Sequence, residues 1–253
     1  PVGTYEIHEV ESNKYYLTNG KPVTFEIKEA DKDSLKSADI ENNKIVFNNQ
    51  VVRADINLVK INEDHDRMSV PFVIENTVSH EKHVIVTDTN GEFNSTKSAK
   101  SKDTNVNDKL LDGYVDGETV IPQSSIVYNS GLWFGTGEYG TLAKPNDTLG
   151  SLPHGKYTIT ELRCESNRGY KLVKATFDVA KDTREQTIDL GTFTNRELPP
   201  QIKTVALDAK TKEHLAYAGK DCTVTDTVSL KDLVVGKEYT LKASSIDYSD
   251  EGT

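Results

Sequence analysis

Cysteine is nearly missing from this chain, which holds only Cys164 and Cys222, and methionine and tryptophan occur once each. Two cysteines exclude a disulfide framework and a four-cysteine zinc site. No run of about 18 apolar residues occurs, so no segment reads as a membrane-spanning helix. Basic residues are outnumbered, 30 Lys+Arg against 40 Asp+Glu for a formal charge of −10. That balance lacks the clustered positive charge that nucleic-acid phosphates require. Six histidines and one methionine offer little to a metal or redox centre, and no cofactor is expected. The chain opens at Pro1 without a basic and then apolar leader, so any signal peptide has been removed or lies outside it. Helix signals are nearly absent, apart from a weak one at Glu29–Ser37.

What remains is β-structure. Of the 253 residues 35% are apolar and 16 are glycine, a composition that suits small modules better than one large core. Short alternating runs of Val, Ile, Thr, Tyr and Phe recur between Gly, Asn, Asp and Pro clusters. They cover Tyr5–Val10, Thr24–Ile27, Lys44–Val52, Ile56–Ile61, Phe72–Asn76, His83–Thr87, Tyr157–Leu162, Ala175–Val179, Thr187–Phe193, Thr204–Asp208 and Glu238–Ala243. Asn90–Gly91 is a tight-turn signal. The expected fold is all-β.

The chain also repeats itself. Pro1, Gly3, Tyr5, Ile7, Glu9 and Phe25 match Pro153, Gly155, Tyr157, Ile159, Glu161 and Phe177 at one constant offset. Each copy is followed by Phe-x-Asn, at Phe47–Asn49 and Phe193–Asn195. Residues 1–53 therefore read as the C-terminal part of one module and 54–198 as a complete second one. A third begins after Pro199–Pro200. Tandem β-sandwich modules in an elongated array are the expected architecture.

Residues 95–150 form a long polar insertion with one aromatic cluster around Trp133 and Phe134. Two readings are open. The aromatics anchor the insertion on its own domain, or they are exposed and touch a ligand.

Polar residues on apolar strand faces carry the chemical signal. Strand side chains alternate, so Ile56, Leu58 and Lys60 share a face. The faces Tyr157–Ile159–Glu161 and Phe193–Asn195 add an inward carboxyl and an inward amide. A structural ion pair with a hydrogen-bonded amide, or a lysine that snorkels outward, would be the plain explanation. The chemical one is a crosslink. Burial favours neutral amine and neutral carboxyl, and a neutral amine beside an amide can attack it while the carboxyl relays protons. The product is a Lys60–Asn195 isopeptide bond. Glu9 and Asn49 repeat two of the three members, with the lysine expected upstream of Pro1 and Asn48 the competing amide.

These residues, with "VPFVIEN" at 70–76, "GLWFGTGE" at 131–138, "LPHGKYTITELRCESNRGYKL" at 152–172 and "DLGTFTN" at 189–195, resemble the collagen-adhesin B-type (Cna-B) family, also called SpaA-type or prealbumin-like domains. The resemblance implies Ig-like sandwiches, a crosslink between Lys60 and Asn195, and Glu161 as its catalyst. Residues 202–216 and 222–243 are similar to the VaFE repeat, whose members form a Thr–Gln ester. By position Thr204 would be the ester hydroxyl and Asp226 its acidic helper, both inward in a complete module. The Gln, Glu and His expected from later strands fall beyond this chain.

Other motifs are weak. His80-x-x-His83 beside Glu81 lacks a third convergent ligand, and no metal is expected. Asp88–Asn90 reads as a turn rather than a calcium loop. Cys164 and Cys222 are expected to stay thiols. The resemblances imply a stalk segment of an extracellular, cell-wall-anchored Gram-positive adhesin or pilin, joined to peptidoglycan through a region outside this chain. It would be no turnover enzyme. The alternative is a module whose 95–150 insertion binds a host matrix protein or glycan.

Overall fold

The computed structural model describes residues 2–29, 40–41, 44–96, 102, 105–137, 144–184, 186–214 and 222–243. Beyond Glu29, the weak helix signal lies outside the described residues. The chain divides into two compact units, residues 1–166 with 171–196, and residues 167–170 with 197–253.

The first unit opens with β1 (Gly3–Ile7) and β2 (Val23–Ile27), an antiparallel pair, followed by the two-residue strands β3 (Ile40–Glu41) and β4 (Lys44–Ile45). Then comes a two-sheet sandwich. One sheet has the order β11 (Lys174–Val179), β10 (Gly155–Glu161), β6 (Pro71–Asn76), β7 (Lys82–Val86), antiparallel throughout. The other has β12 (Thr187–Asn195) parallel to β5 (Arg53–Asn62), with β8 (Glu92–Asn94) antiparallel on the far side of β5 and β9 (Leu152–Pro153) at its start. The Phe72 and Phe193 rings, one from each sheet, meet edge to face at 5.8 Å.

Alternation explains the core. In β5 the even-numbered residues Ala54, Ile56, Leu58 and Lys60 are all buried, and in β10 Gly155, Tyr157, Ile159 and Glu161 are. The repeat is a repeat of register as well. Gly3 pairs Ile27 and Tyr5 pairs Phe25, just as Gly155 pairs Val179 and Tyr157 pairs Phe177. Both Tyr–Phe pairs stack, at 5.5 and 5.3 Å.

Three expectations change. Only Lys44–Ile45 of the run Lys44–Val52 is a strand, with an isolated bridge at Val51 to Tyr16. Glu238–Ala243 alternates in sequence yet is not a strand in the structure, whereas Val224–Lys231 is one. Asn90–Gly91 does turn the chain, with Gly91 N–H donating to Asp88 O at 2.9 Å, but it carries β7 of one sheet to β8 of the other rather than closing a hairpin. Gly91 (φ 69°) lies so close to β5 that a Cβ there would sit 2.4 Å from the Lys60 carbonyl oxygen.

The described part of the insertion around Trp133 folds onto its own sandwich. Leu132, Trp133 and Phe134 are buried, which removes the exposed-aromatic reading. Arg53 holds the cluster. Its guanidinium lies 3.8 Å over the Trp133 ring and donates to the carbonyls of Phe134, Gly150 and Ser151. Burial lowers the Arg53 pKa to about 10, which leaves it charged at neutral pH.

In the second unit β13 (Gln201–Asp208) and β14 (Val224–Lys231) form an antiparallel two-stranded sheet. Among the described residues, no helix is long and apolar enough to cross a membrane.

Candidate crosslinking site

Lys60 lies near the end of β5, Glu161 at the end of β10 and Asn195 at the end of β12, so the three come from both sheets and meet between them. β12 runs parallel to β5 with Phe193 in register with Lys60, which brings the Phe-x-Asn strand end alongside the lysine. Exposure is 0% for Lys60, 1% for Glu161 and 0% for Asn195.

The contacts are specific. Lys60 Nζ is 3.8 Å from Glu161 Oε2, and it donates to the carbonyls of Ile61 (3.2 Å) and Phe193 (3.3 Å). Asn195 Nδ2 donates to Glu161 Oε1 at 2.7 Å, and Val173 N–H donates to Oε2 at 3.0 Å. Asn195 Oδ1 is buried without a hydrogen-bond partner. Burial lowers the Lys60 pKa to about 8, against the opposing pull of Glu161. A neutral Nζ has two N–H bonds and one lone pair. The two carbonyls take the N–H bonds, and the lone pair is left for an electrophile.

A second buried lysine shows what this site is not. Lys102 Nζ lies 2.9 and 3.0 Å from the two oxygens of Asp55. Asp55 Oδ1 also accepts from Ser95 Oγ (2.6 Å), Ser151 Oγ (2.9 Å) and Ser151 N–H (3.1 Å). A carboxylate satisfied by this many donors is a poor electrophile. Asp55 thus ties both ends of the insertion to β5 as an ion pair. Lys60 instead lies 3.8 Å from a carboxyl group whose other oxygen accepts from the Asn195 amide.

The first repeat copies the acid–amide pair. Asn49 Nδ2 donates to Glu9 Oε1 at 2.7 Å, Asn19 N–H donates to Glu9 Oε2 at 2.5 Å, and Asn49 Oδ1 is again buried without a partner. Asn48 is exposed, and Asn49 is the amide that meets the acid.

Thr204 and Asp226 share one face of the β13–β14 hairpin, Thr204 opposite Val228 and Asp226 opposite Ala206. Both are exposed, contrary to the inward orientation expected in a complete module. The physical reason is that the described residues of this unit form one two-stranded sheet, with no second sheet to bury either face. Gln201 lies on the same strand but on the opposite face from Thr204, and its amide donates to Asp232 Oδ2 at 2.8 Å.

The other motifs resolve into local structure. His80 Nδ1 meets Glu75 Oε1 at 3.1 Å, while His83 lies between Glu81 and Asp108. Among the described residues no group of three His, Cys, Asp or Glu side chains could hold a metal. Asp88 Oδ1 accepts the N–H groups of Asn90 and Glu92, closing a turn. Cys164 is buried with Sγ 3.2 Å from Ser166 Oγ, Cys222 is exposed, and neither is in a disulfide. Sequence reasoning missed Arg53, Asp55, Lys102 and Asp108, and noted Glu81 only as a neighbour of the His80-x-x-His83 motif. Arg53 and Asp55 fall between the runs Lys44–Val52 and Ile56–Ile61, and nothing local marked any of the four.

Residues 200–252 match the family described as the T-Q ester bond containing domain. No curated protein matches the chain. Among solved structures, the chain is similar to one described as "The Bacillus anthracis TIE protein", with 12% identity and a TM-score of 0.42 over 91% of this chain and 35% of that one. It is also similar to "Structure of the Streptococcal ancillary pilin", with 12% identity and a TM-score of 0.32 over 91% of this chain and 60% of that one. The chain thus spans less than two thirds of either structure's length.

Proposed function

We propose that this chain is a load-bearing segment of a Gram-positive surface adhesin or pilin, stiffened by an isopeptide bond between Lys60 and Asn195. The carrying observation is the dry Lys60–Glu161–Asn195 cluster, in which a lysine of lowered pKa and the Asn195 amide share one carboxyl group. The family match at 200–252, a domain type defined by an ester crosslink, supports a chain built around covalent ties.

The reaction balances within the site. Nζ of Lys60 passes one proton to Glu161, and both become neutral, as burial favours. With Glu161 protonated, a half-turn of the Asn195 amide lets the acid donate to the unpartnered Oδ1 and polarise the carbonyl. The Nζ lone pair attacks Cγ. A new Nζ–Cγ bond forms, the Cγ–Nδ2 bond breaks, and Nδ2 leaves as ammonia with the proton relayed by Glu161. The groups act once, on their own chain, so this is self-modification without turnover.

Glu9 and Asn49 are assigned the same parts in a preceding module. Thr204, helped by Asp226, is assigned the hydroxyl of the ester in the third. The modules at 1–53, 54–198 and 199–253 then form a string, displayed extracellularly and held to the cell wall by a region outside these residues. Tandem mass spectrometry of a protease digest tests the central assignment. A branched peptide joining the Lys60 and Asn195 segments is expected, and recovery of the two segments only as separate linear peptides would refute it.

A further inference from the structure

Strand β7 is the outer strand of its sheet, and an outer strand offers unpaired N–H and C=O groups to any extended chain. This edge is occupied. Thr87 N–H donates to Val70 O at 3.1 Å, so the alternation of an antiparallel ladder turns the Val84 N–H away from β6. That outward N–H donates to Asp108 Oδ1 at 2.8 Å. Asp108 belongs to a short 3-10 turn, Val106–Leu111, that packs on β7.

The same carboxylate is pinned from its other oxygen. Asp108 Oδ2 lies 2.7 Å from His83 Nδ1, and His83 Nε2 lies 2.9 Å from Glu81 Oε1. Glu81 accepts the N–H groups of Gly135 and Thr136 at 2.7 Å each. Both ring nitrogens face carboxylate acceptors, so the imidazole carries two protons and a positive charge. The Phe134 ring meets the imidazole edge to face at 4.6 Å. Val84, Ile85 and Val86 are buried in succession, so both faces of this edge strand are covered.

We propose that the 105–137 part of the insertion is an intramolecular edge plug, in which Asp108 takes the place of an incoming strand's carbonyl at Val84 and the Glu81–His83–Asp108 relay locks it there, keeping β7 from pairing with β7 of a second copy. A second copy is the partner to exclude because identical antiparallel strands are self-complementary about a two-fold axis. Lys82–Val86, with three apolar residues in a row, is the kind of edge that self-pairs when bare. The insertion thereby acquires a role that is independent of the crosslink.

Hydrogen exchange and analytical ultracentrifugation of the full chain test this. In Asp108→Ala the Val84 amide should exchange at least about tenfold faster while β10 amides keep their protection. The variant should also sediment as a concentration-dependent dimer. Asp108→Asn, which retains an acceptor oxygen, should restore protection at Val84 and the monomer. A Val84 amide that stays protected in Asp108→Ala would overturn the plug, as would a chain that exposes Val84 and remains monomeric at every concentration. Where Asp108→Ala loosens the whole sheet, seen as lost β10 protection, His83→Gln takes its place. Faster Val84 exchange with dimerisation is then expected of His83→Gln, and a protected Val84 amide or a persistent monomer would overturn the plug in the same way.

Discussion

Asn195 donates its side-chain amide to Glu161 Oε1 at 2.7 Å from the opposite sheet of the sandwich, and leaves its own Oδ1 buried without a partner. An orphaned carbonyl oxygen is costly in a dry interior, on the order of 1–3 kcal/mol. Asn49 and Glu9 show the same arrangement, with the same distance and the same orphaned oxygen. One proton moved onto the carboxyl group, with a half-turn of the amide, satisfies the orphan and readies the carbonyl for attack.

The first prediction concerns pH. In the proposed reaction the proton that Lys60 gives up is the one that Glu161 passes on to the Asn195 carbonyl. Lys60 sheds its proton near pH 8. Above that value the amine is neutral, but it has no proton left to pass on. Crosslinking in chain refolded from an unreacted, denatured state should therefore slow as pH rises through about 8. A rate that keeps climbing into the alkaline range would show that amine deprotonation alone limits the reaction.

The crosslink should dominate stability. It would close a loop of roughly 135 residues, worth about 5 kcal/mol by analogy with disulfide closure. Lys60→Ala should lower Tm by about 10–20 °C at this domain size and open the domain to trypsin. Asn195→Ala should cost a similar amount. The double variant should lose little more than either single one, since both remove the same bond. Additive losses in calorimetry would mean two independent packing defects and no shared link.

His83 gives a separate pH signature. Glu81 and Asp108 flank its ring and Phe134 packs on it; the desolvation that opposes protonation is outweighed by the two carboxylates, raising its pKa to about 9. A group with a raised folded-state pKa contributes stability that is complete below its unfolded value of about 6.5 and lost as pH rises through the folded one. The contribution is on the order of 3 kcal/mol. The Tm gap between the parent chain and His83→Gln should be wide at pH 6 and narrow markedly by pH 10. A gap that does not change with pH would show that the imidazole is held neutral.

The sequence made the buried Lys60–Glu161–Asn195 cluster legible because a sandwich strand has a strict period of two. A lysine in step with Ile56 and Leu58, or a glutamate in step with Tyr157 and Ile159, has nowhere to point but inward. The repeat extends to the register, where Tyr5 pairs Phe25 as Tyr157 pairs Phe177. The insertion was opaque for the opposite reason. Asp108 acts on Val84 and His83 from a segment without periodicity, and Lys102 reaches Asp55 across 47 residues of chain. Glu238–Ala243 alternates like a strand, but alternation specifies a face and cannot supply a ladder partner. Thr204 and Asp226 lie on one face of their hairpin, and their burial depends on a second sheet that the described residues of their unit do not form.

Intact-mass spectrometry of the denatured chain, beside Glu161→Ala, tests the central claim most directly. The parent should weigh one ammonia less than its sequence requires, and Glu161→Ala should weigh the full sequence mass. A parent at the full sequence mass would contradict the crosslink outright, and an ammonia loss that survives Glu161→Ala would contradict the role given to Glu161.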